Sequence, residues 1–175
     1  MACCAASSSP DGSVLRCALP ARPTADCLFE DVSRDGRTVL KVWSANAVTG
    51  VVGAFNVQCS SWVTSKRNYV QHDKAPPTLT AHIRPRDVPT LPPADRYAVW
   101  LDDTQRLVLL RRDEGVKVAV AGGACALATI SPVVEVSGVA VAPIGLVNML
   151  NSGGAVLSFS VQGKGSLASC IRTAE

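Results

Sequence analysis

The chain has 175 residues, a formal net charge of +3, and 47% hydrophobic against 18% charged residues. This length suits one ordinary domain, and the composition supports a hydrophobic core and argues against disorder over most of the chain. The small positive charge, carried by basic residues scattered as pairs and singles, argues against nucleic acid as a partner. No stretch approaches the ~20 apolar residues of a membrane span. The first residues lack the basic and apolar regions of a secretory signal, so we expect a cytoplasmic protein with no membrane partner.

The cysteines do not form a recognisable motif. They show no C-x-x-C spacing, and no histidine lies at zinc-ligand spacing from any of them, which disfavours a metal site or a disulfide framework. Walker and dinucleotide-binding motifs are absent as well, so we expect neither a metal nor a cofactor. In a reducing compartment the cysteines are free thiols, and we expect the later ones to be small core residues. The seven are Cys3, Cys4, Cys17, Cys27, Cys59, Cys125 and Cys170.

The first 36 residues carry little pattern of regular structure. Residues 1–12 are small and polar, and we expect them to be disordered. Residues 13–36 contain Pro20, Pro23 and the short apolar run CLF at 27–29. This composition predicts an extended connector that packs against another surface. Residues 37–175 are then expected to form a single β-domain.

Beyond residue 37, short apolar runs alternate with turn residues at roughly 8–12-residue intervals, a spacing typical of all-β sandwiches and barrels. No long amphipathic helical pattern is present. We therefore predict an all-β fold, an antiparallel β-sandwich, with hairpins around the turns at 46–50 and 103–105. A looser segment is expected at 60–77. The predicted strands lie at 38–43, 51–58, 78–84, 97–103, 106–112, 115–120, 125–130, 133–141, 155–163 and 166–172.

One stretch departs from the strand pattern. APIGLVNMLNSGGAV at 142–156 places two asparagines in an apolar run that ends on two glycines. We expect a short helix or tight loop near 143–151, opened by Pro143 and closed by Gly153 and Gly154 in left-handed conformation. A strand that enters a glycine turn is the alternative. Asn148 and Asn151 fit either a packed turn or a binding loop, because a buried amide must find hydrogen-bond partners.

Few residues point to catalysis. The chain has two histidines, His72 and His82. Ser60 and Ser61 lie near His72 in the sequence, but no G-x-S-x-G motif accompanies them, so nothing specific supports a Ser-His-Asp site. His82 falls in a predicted strand, where we expect it at the surface or opposite a neighbouring strand.

Acidic residues form no obvious catalytic pair. Asp102 and Asp103 are adjacent on a predicted hairpin, and adjacent strand residues point to opposite faces. Asp26, Asp31 and Asp35 belong to the connector, where turn formation explains them.

Three tryptophans, Trp43, Trp62 and Trp100, could stack on sugars. We expect them instead to anchor the core or an interface. No catalytic, cofactor-binding or metal-binding residue is predicted.

Four longer segments carry a resemblance to a known family: PDGSVLRC at 10–17, RPTADCLFEDVSRDGRTVLKVWSANAVTGVVGAFNVQ at 22–58, ISPVVEV at 130–136 and VAPIGLVNMLNSGGAV at 141–156. They are similar to the plant raffinose synthases and to their relatives in glycoside hydrolase family 36, the alkaline α-galactosidases or seed imbibition proteins. The run APIGLVNMLNSGGA, with LLRRDEGV at 109–116, is more similar to the raffinose synthase branch.

The resemblance implies galactosyl transfer from galactinol to sucrose, through a galactosyl-enzyme intermediate, with galactinol and sucrose as partners. In that family the two catalytic carboxylates lie in a (β/α)8 barrel ahead of the matching region, and such a barrel needs ~250 residues. We therefore expect a C-terminal fragment that lacks the catalytic barrel and is inactive alone. The stretch at 142–156 then has a structural role, with Asn148 and Asn151 as caps of a turn.

Two other hypotheses stay open. The parent could be an alkaline α-galactosidase, which hydrolyses rather than transfers, or the chain could be a non-catalytic module that binds sugar or supports the barrel. In the absence of the barrel, Leu19, Leu28 and Phe29 would form an exposed apolar patch. We expect such a chain to be poorly soluble, to bind hydrophobic dyes and to self-associate through this surface.

Overall fold

The computed structural model describes residues 7–8, 14–73, 75–136, 138–162 and 166–171. These residues form β-strands and three short 3₁₀ helices, at Thr64–Lys66, Pro85–Asp87 and Ser152–Ala155, and they contain no α-helix. The strands are β1 (Ser7–Ser8), β2 (Val14–Leu15), β3 (Arg22–Pro23), β4 (Leu40–Ala45), β5 (Gly50–Phe55), β6 (Ser60–Val63), β7 (Asn68–Gln71), β8 (Leu79–Ile83), β9 (Tyr97–Leu101), β10 (Arg106–Leu110), β11 (Val116–Val120), β12 (Cys125–Pro132), β13 (Val134–Val136), β14 (Val139–Val141), β15 (Val156–Gln162) and β16 (Ser166–Ile171).

The largest sheet has six strands in the order β10-β9-β12-β5-β4-β3, and every neighbouring pair is antiparallel. The hairpins β4–β5 and β9–β10 confirm the two hairpins expected from their turn residues. The remaining strands pair as β1–β2, β6–β7, β8–β11, β13–β14 and β15–β16. The predicted antiparallel all-β class is therefore confirmed.

The hydrophobic core lies between the six-stranded sheet and the β8–β11 pair. Alternate residues of a strand point to one face, so Val52 and Ala54 of β5 both enter the core. Ala81 and Ile83 of β8 meet them from the opposite layer, and Ile83 is fully buried. Two antiparallel layers that share one core are the β-sandwich predicted from the sequence.

The other face of the six-stranded sheet is also covered. Thr129 and Ser131 of β12 are buried there, on the face opposite the core residues of the same strand. The Thr129 and Ser152 hydroxyl oxygens are 2.8 Å apart, which places the stretch at 142–156 against this face. This stretch is thus part of the packing of the sheet.

The segment ahead of β4 is attached to the edge of the sheet. Strand β3 pairs with β4, and the Thr24 amide donates to the Lys41 carbonyl over 2.9 Å. Cys27 is buried at 4% exposure. Residues 22–27 therefore extend the sheet, although the sequence indicated no regular structure there.

Two strand predictions are corrected by the structure. Residues 60–77, expected to be a looser segment, contain the β6–β7 hairpin. One face of this hairpin carries aromatic residues that are exposed to water, so its sequence lacks the pattern of a half-buried strand. The single strand predicted at 133–141 is a hairpin of β13 and β14. Gly138 has a positive φ of 82° beside that turn, a conformation that glycine adopts without strain.

The tight loop expected near 143–151 is confirmed, but its details differ. The Met149 amide donates to the Leu146 carbonyl in a turn, and Pro143 opens no helix. Gly153 lies inside the 3₁₀ helix Ser152–Ala155 rather than in left-handed conformation, and Gly145, at φ 90°, is the left-handed glycine of the stretch. A Cβ on Gly145 would collide with the Ser152 carbonyl, so a close approach of backbones fixes glycine there.

Candidate functional site

A buried lysine connects three parts of the fold. Lys41 of β4 is 3% exposed, and its Nζ lies 2.7 Å from Asp26 Oδ2 and 2.9 Å from Asp87 Oδ2. The same Nζ donates to the His82 carbonyl over 3.0 Å. An ammonium has three donors, so these acceptors satisfy it completely, which offsets the cost of removing the charge from water.

Each carboxylate of this cluster also accepts a hydrogen bond from a residue close to it in the sequence. Asp87 Oδ2 also accepts from the Arg84 amide over 3.0 Å, at the start of the 3₁₀ helix Pro85–Asp87. Asp26 Oδ1 accepts from the Thr24 hydroxyl over 2.6 Å. Burial raises the pKa of Asp26, but the hydrogen bonds from Lys41 and Thr24 and the charge of Lys41 outweigh burial and leave that pKa below its usual value. Asp26 thus stays ionised beside Lys41 at neutral pH.

A cavity of about 200 Å³ adjoins the cluster. Its walls include the charged groups of Asp26, Lys41 and Arg84, together with Cys27 and His82. The volume would suit a small polar ligand, although the lysine already has all its partners.

The two carboxylates of the cluster do not have the arrangement of a glycosidase pair. Their Oδ2 atoms lie within about 6 Å of each other, because both contact one Nζ, and retaining glycosidases hold their carboxyl groups about 5–5.5 Å apart. In such an enzyme the sugar lies between the carboxylates. Here the Lys41 ammonium occupies that position, so no sugar can lie between these two carboxylates.

Sequence reasoning did not single out this cluster, because its members are separated by up to 61 positions between Asp26 and Asp87. One signal was available at Lys41. It is two residues from Trp43 on the same predicted strand, and residues at that spacing share a face. A core position for Trp43 therefore implies a buried Lys41, which needs a partner.

The asparagines of the stretch at 142–156 have separate environments. Asn151 is 8% exposed, and its side-chain Oδ1 accepts from Asn46 Nδ2 over 2.9 Å. Asn46 Nδ2 also donates to the Thr49 hydroxyl. Asn148 is exposed. The predicted caps are wrong in both cases, because Asn151 precedes the 3₁₀ helix without a side-chain capping bond and pairs with the β4–β5 turn instead.

The serine and histidine singled out in the sequence are brought together. Ser61 Oγ lies 2.5 Å from His72 Nε2 on the β6–β7 hairpin. His72 is exposed, and among the described residues no carboxylate hydrogen-bonds to its other ring nitrogen. A nucleophilic site needs an orienting partner for the base, so the pair is a surface contact. His82 faces Lys117 across the β8–β11 ladder, as expected of a cross-strand residue.

The remaining acidic residues take structural positions. Asp102 is half-buried beside the β9–β10 turn, and burial together with the charge of Asp103 raises its pKa. Asp31 accepts from the Ser33 amide and hydroxyl in a local turn. Asp35 accepts hydrogen bonds from the Gln58 side chain and from two backbone amides.

The three tryptophans have different environments. Trp43 belongs to the hydrophobic core at 8% exposure, as predicted. Trp100 is half-buried on β9, and its Nε1 has no hydrogen-bond partner among the described residues. Trp62 is 53% exposed and contacts Tyr69, which is 54% exposed. Trp62 is therefore no core anchor, and an interface role for it stays a prediction.

The cysteine predictions hold in part. Cys17, Cys27 and Cys59 are free thiols, and Cys27 is buried. Cys125 is exposed rather than a core residue, because it lies at the first position of β12. Within the described parts of the chain, no group of three or more His, Cys, Asp or Glu side chains is arranged to hold a metal ion.

The connector carries an apolar surface. Phe29 is 92% exposed and Leu28 is 51% exposed. Leu19, expected to share this surface, packs partly against the core. The exposed patch therefore consists of two adjacent residues.

No helix within the described residues is long and apolar enough to cross a membrane.

Comparison with known proteins gives matches along the whole chain. Residues 7–174 match the family described as raffinose synthase or seed imbibition protein Sip1. A galactinol–sucrose galactosyltransferase of Oryza sativa subsp. japonica is 41% identical over 162 residues, which cover 89% of this chain and 21% of the relative. A probable galactinol–sucrose galactosyltransferase 6 of Arabidopsis thaliana is 40% identical over 156 residues, 84% of this chain and 21% of the relative.

A more distant relative is named for a different activity. A stachyose synthase of Pisum sativum is 33% identical over 167 residues, covering 90% of this chain and 20% of the relative. The chain spans about a fifth of the length of the curated relatives that it matches. With a family match over nearly all of its residues, the chain belongs to the raffinose synthase or seed imbibition protein family.

Proposed function

We propose that this chain is the non-catalytic C-terminal β-domain of a galactinol–sucrose galactosyltransferase. The observation that carries the proposal is the match along nearly the whole chain to transferases about five times as long. In this proposal the parent enzyme transfers a galactosyl group from galactinol to sucrose, and its two catalytic carboxylates lie in the part that the match does not cover. Two of the three curated relatives quoted above are galactosyltransferases by name, which favours transfer over hydrolysis.

The arrangement of the described residues supports a structural role. The Lys41 ammonium lies between the carboxylates of Asp26 and Asp87, and the stretch at 142–156 is occupied in packing against the six-stranded sheet. Residues 13–36 would lead from the catalytic part into the β-domain at 37–175, with residues 1–12 outside it. Leu28 and Phe29 would then contact the catalytic part, because apolar side chains so exposed are typical of a covered surface.

The free thiols of Cys17, Cys27 and Cys59 agree with a reducing compartment, so we place the parent enzyme in the cytoplasm.

A domain exchange tests the proposal. In the Oryza sativa galactosyltransferase, the segment that matches this chain would be replaced by the chain itself. Raffinose and free galactose formed from galactinol and sucrose would be measured. We expect the exchanged protein to form raffinose, and the same relative with the segment deleted to form none.

Thermal unfolding of the exchanged protein provides the control for folding. A folded protein that forms no raffinose would contradict the proposal. Release of galactose without raffinose would also contradict it, because a non-catalytic domain should leave the acceptor used by the Oryza sativa catalytic part unchanged.

A further inference from the structure

The β6–β7 hairpin presents an aromatic pair that the fold does not use. Trp62 and Tyr69 are direct cross-strand partners in the antiparallel ladder. Their ring centroids are 5.4 Å apart at an interplanar angle of 70°. Both side chains remain more than half exposed. An edge-on pair of this kind stabilises both rings in a defined orientation and still leaves ring faces in contact with water.

The same face of the hairpin carries a polar side chain beside the rings. Opposite residues and residues two apart share a face, so Gln71, which pairs with Ser60, lies next to Tyr69. A Cβ on Gly123 would come within 3.2 Å of Gln71 Oε1. The glycine thus leaves room for the amide against the β11–β12 turn. The surface therefore combines two fixed rings with one amide, and we refer to Trp62, Tyr69 and Gln71 as the hairpin platform.

The area of the hairpin platform selects the class of ligand. A fully covered aromatic side chain buries 150–250 Å², so two half-exposed rings offer roughly 200 Å². A stable protein interface needs about 800 Å² from each partner. The platform is too small to hold a protein by itself, and its size suits a single sugar ring.

The chemistry of a galactosyl group fits this surface. The axial O4 of galactose leaves a continuous row of C–H groups on the opposite ring face, which can lie flat on an aromatic ring. The hydroxyls at the rim then need donors and acceptors, which the Gln71 amide supplies. Relatives of this chain are named for a galactosyl donor, galactinol.

We propose that the hairpin platform is a binding site for the galactosyl ring of α-galactosides such as raffinose and galactinol. Trp62 provides the stacking surface, Tyr69 fixes its orientation, and Gln71 hydrogen-bonds to the sugar hydroxyls. The choice of sugar rests on the proposed function, whereas the existence of the surface does not.

Ligand-observed NMR on the 175-residue chain tests the site without any turnover. Saturation transfer from the protein to raffinose and to sucrose would be measured, because the two sugars differ by the galactosyl ring. We expect transfer to the galactosyl protons of raffinose with a Kd of about 1–10 mM, since one stacked ring is a small contact. Sucrose should bind at least about tenfold more weakly.

Two variants identify the residues. Trp62→Ala should weaken raffinose binding at least about tenfold. Leu107→Ala removes another exposed apolar side chain, 53% exposed on edge strand β10, and should leave binding unchanged. Circular dichroism would confirm that each variant is folded.

Several results would overturn the inference: no transfer to raffinose, equal transfer to sucrose, or unchanged binding by a folded Trp62→Ala. Loss of self-association in Trp62→Ala, without any sugar binding by the parent chain, would assign the platform to a protein contact and also overturn it. If the domain-exchanged enzyme is active and the chain binds no sugar, only the hairpin platform site is rejected. If the chain binds raffinose and the domain-exchanged enzyme is inactive, only the proposed function is rejected.

Discussion

At the scale of single residues, buried polar groups hold the connector to the sandwich. Lys41 contributes most, because its ammonium joins the connector at Asp26 to the 3₁₀ helix at Asp87. A buried ion pair adds little stability over an apolar replacement of both partners, but removal of one partner leaves an uncompensated charge. Lys41 therefore determines how the edge of the sheet is assembled.

Lys41→Met should reduce the free energy of unfolding by about 3–5 kcal/mol, because Asp87 would be left buried without its counter-ion. Chemical denaturation measures this loss. Arg37→Met is the matched control, since Arg37 pairs with Glu30 over 3.4 Å with most of its side chain exposed. The control should lose less than about 1 kcal/mol. Similar small losses in both variants would contradict the structural role of Lys41.

Asp35 gives a pH-dependent contribution to stability. Its Oδ1 accepts from Gln58 Nε2 over 2.7 Å and from the Thr38 amide over 2.9 Å. Burial raises the pKa of Asp35, but these hydrogen bonds and that of the Arg37 amide outweigh burial and hold the pKa well below 3.8. The folded state binds the proton less tightly than the unfolded state, so the stabilisation is fully present above pH 3.8 and is lost as the pH falls below it.

Asp35→Asn should therefore have a lower free energy of unfolding than the unsubstituted chain at neutral pH. This difference should become smaller as the pH falls from about 5 to about 2. Urea unfolding over that range would measure the difference. A gap that stays constant with pH would show that the carboxylate contributes no such stabilisation.

At the scale of elements, the sequence predicts strands well and contacts between them poorly. Alternating apolar residues around turn residues located β4, β5, β9 and β10 within two or three positions, because burial on one face imposes that period. The β6–β7 hairpin was missed because its exposed aromatic face carries no burial signal. The pairing of Asn46 with Asn151, 105 positions apart, follows from the packing of a whole layer and has no local signature.

Gly153 tests the packing of the stretch at 142–156. A Cβ at this position would collide with the Thr49 hydroxyl in the β4–β5 turn. Gly153→Ala should therefore lose about 1–3 kcal/mol of stability, the usual cost of overpacking. Gly138→Ala provides the comparison, because a Cβ there meets nothing within 4 Å and only the positive φ is strained.

Thermal unfolding of the two glycine variants measures the difference. We expect the melting temperature to fall more for Gly153→Ala than for Gly138→Ala. An unchanged melting temperature for Gly153→Ala would contradict the close packing of this stretch.

At the scale of the whole molecule, the sandwich buries one face of its main sheet and part of the other but leaves the connector patch in water. Leu28 and Phe29 are adjacent and exposed, and the relatives contain about four times as much further chain. Such a patch is an aggregation hazard in isolation and a contact surface in a larger protein.

The double variant Leu28→Ser, Phe29→Ser should bind less hydrophobic dye and self-associate less than the parent chain, because the apolar patch is removed. Dye fluorescence and light scattering at matched concentration measure both effects. The control Leu107→Ser, Leu109→Ser removes two exposed leucines of β10 that are 53% and 51% exposed, and it should have the smaller effect. A monodisperse parent chain that binds no dye would contradict this reading of the patch.

In the proposed function, this chain supports galactosyl transfer by a longer enzyme and does not perform it. The most direct measurement is raffinose formation from galactinol and sucrose by the purified chain alone, at a concentration at which the domain-exchanged enzyme turns over. We predict no raffinose, and no hydrolysis of an aryl α-galactoside, because Lys41 lies between the Asp26 and Asp87 carboxylates and the proposed function assigns the catalytic pair to the part of the relatives that this chain does not match. Measurable turnover by the chain alone would contradict the claim.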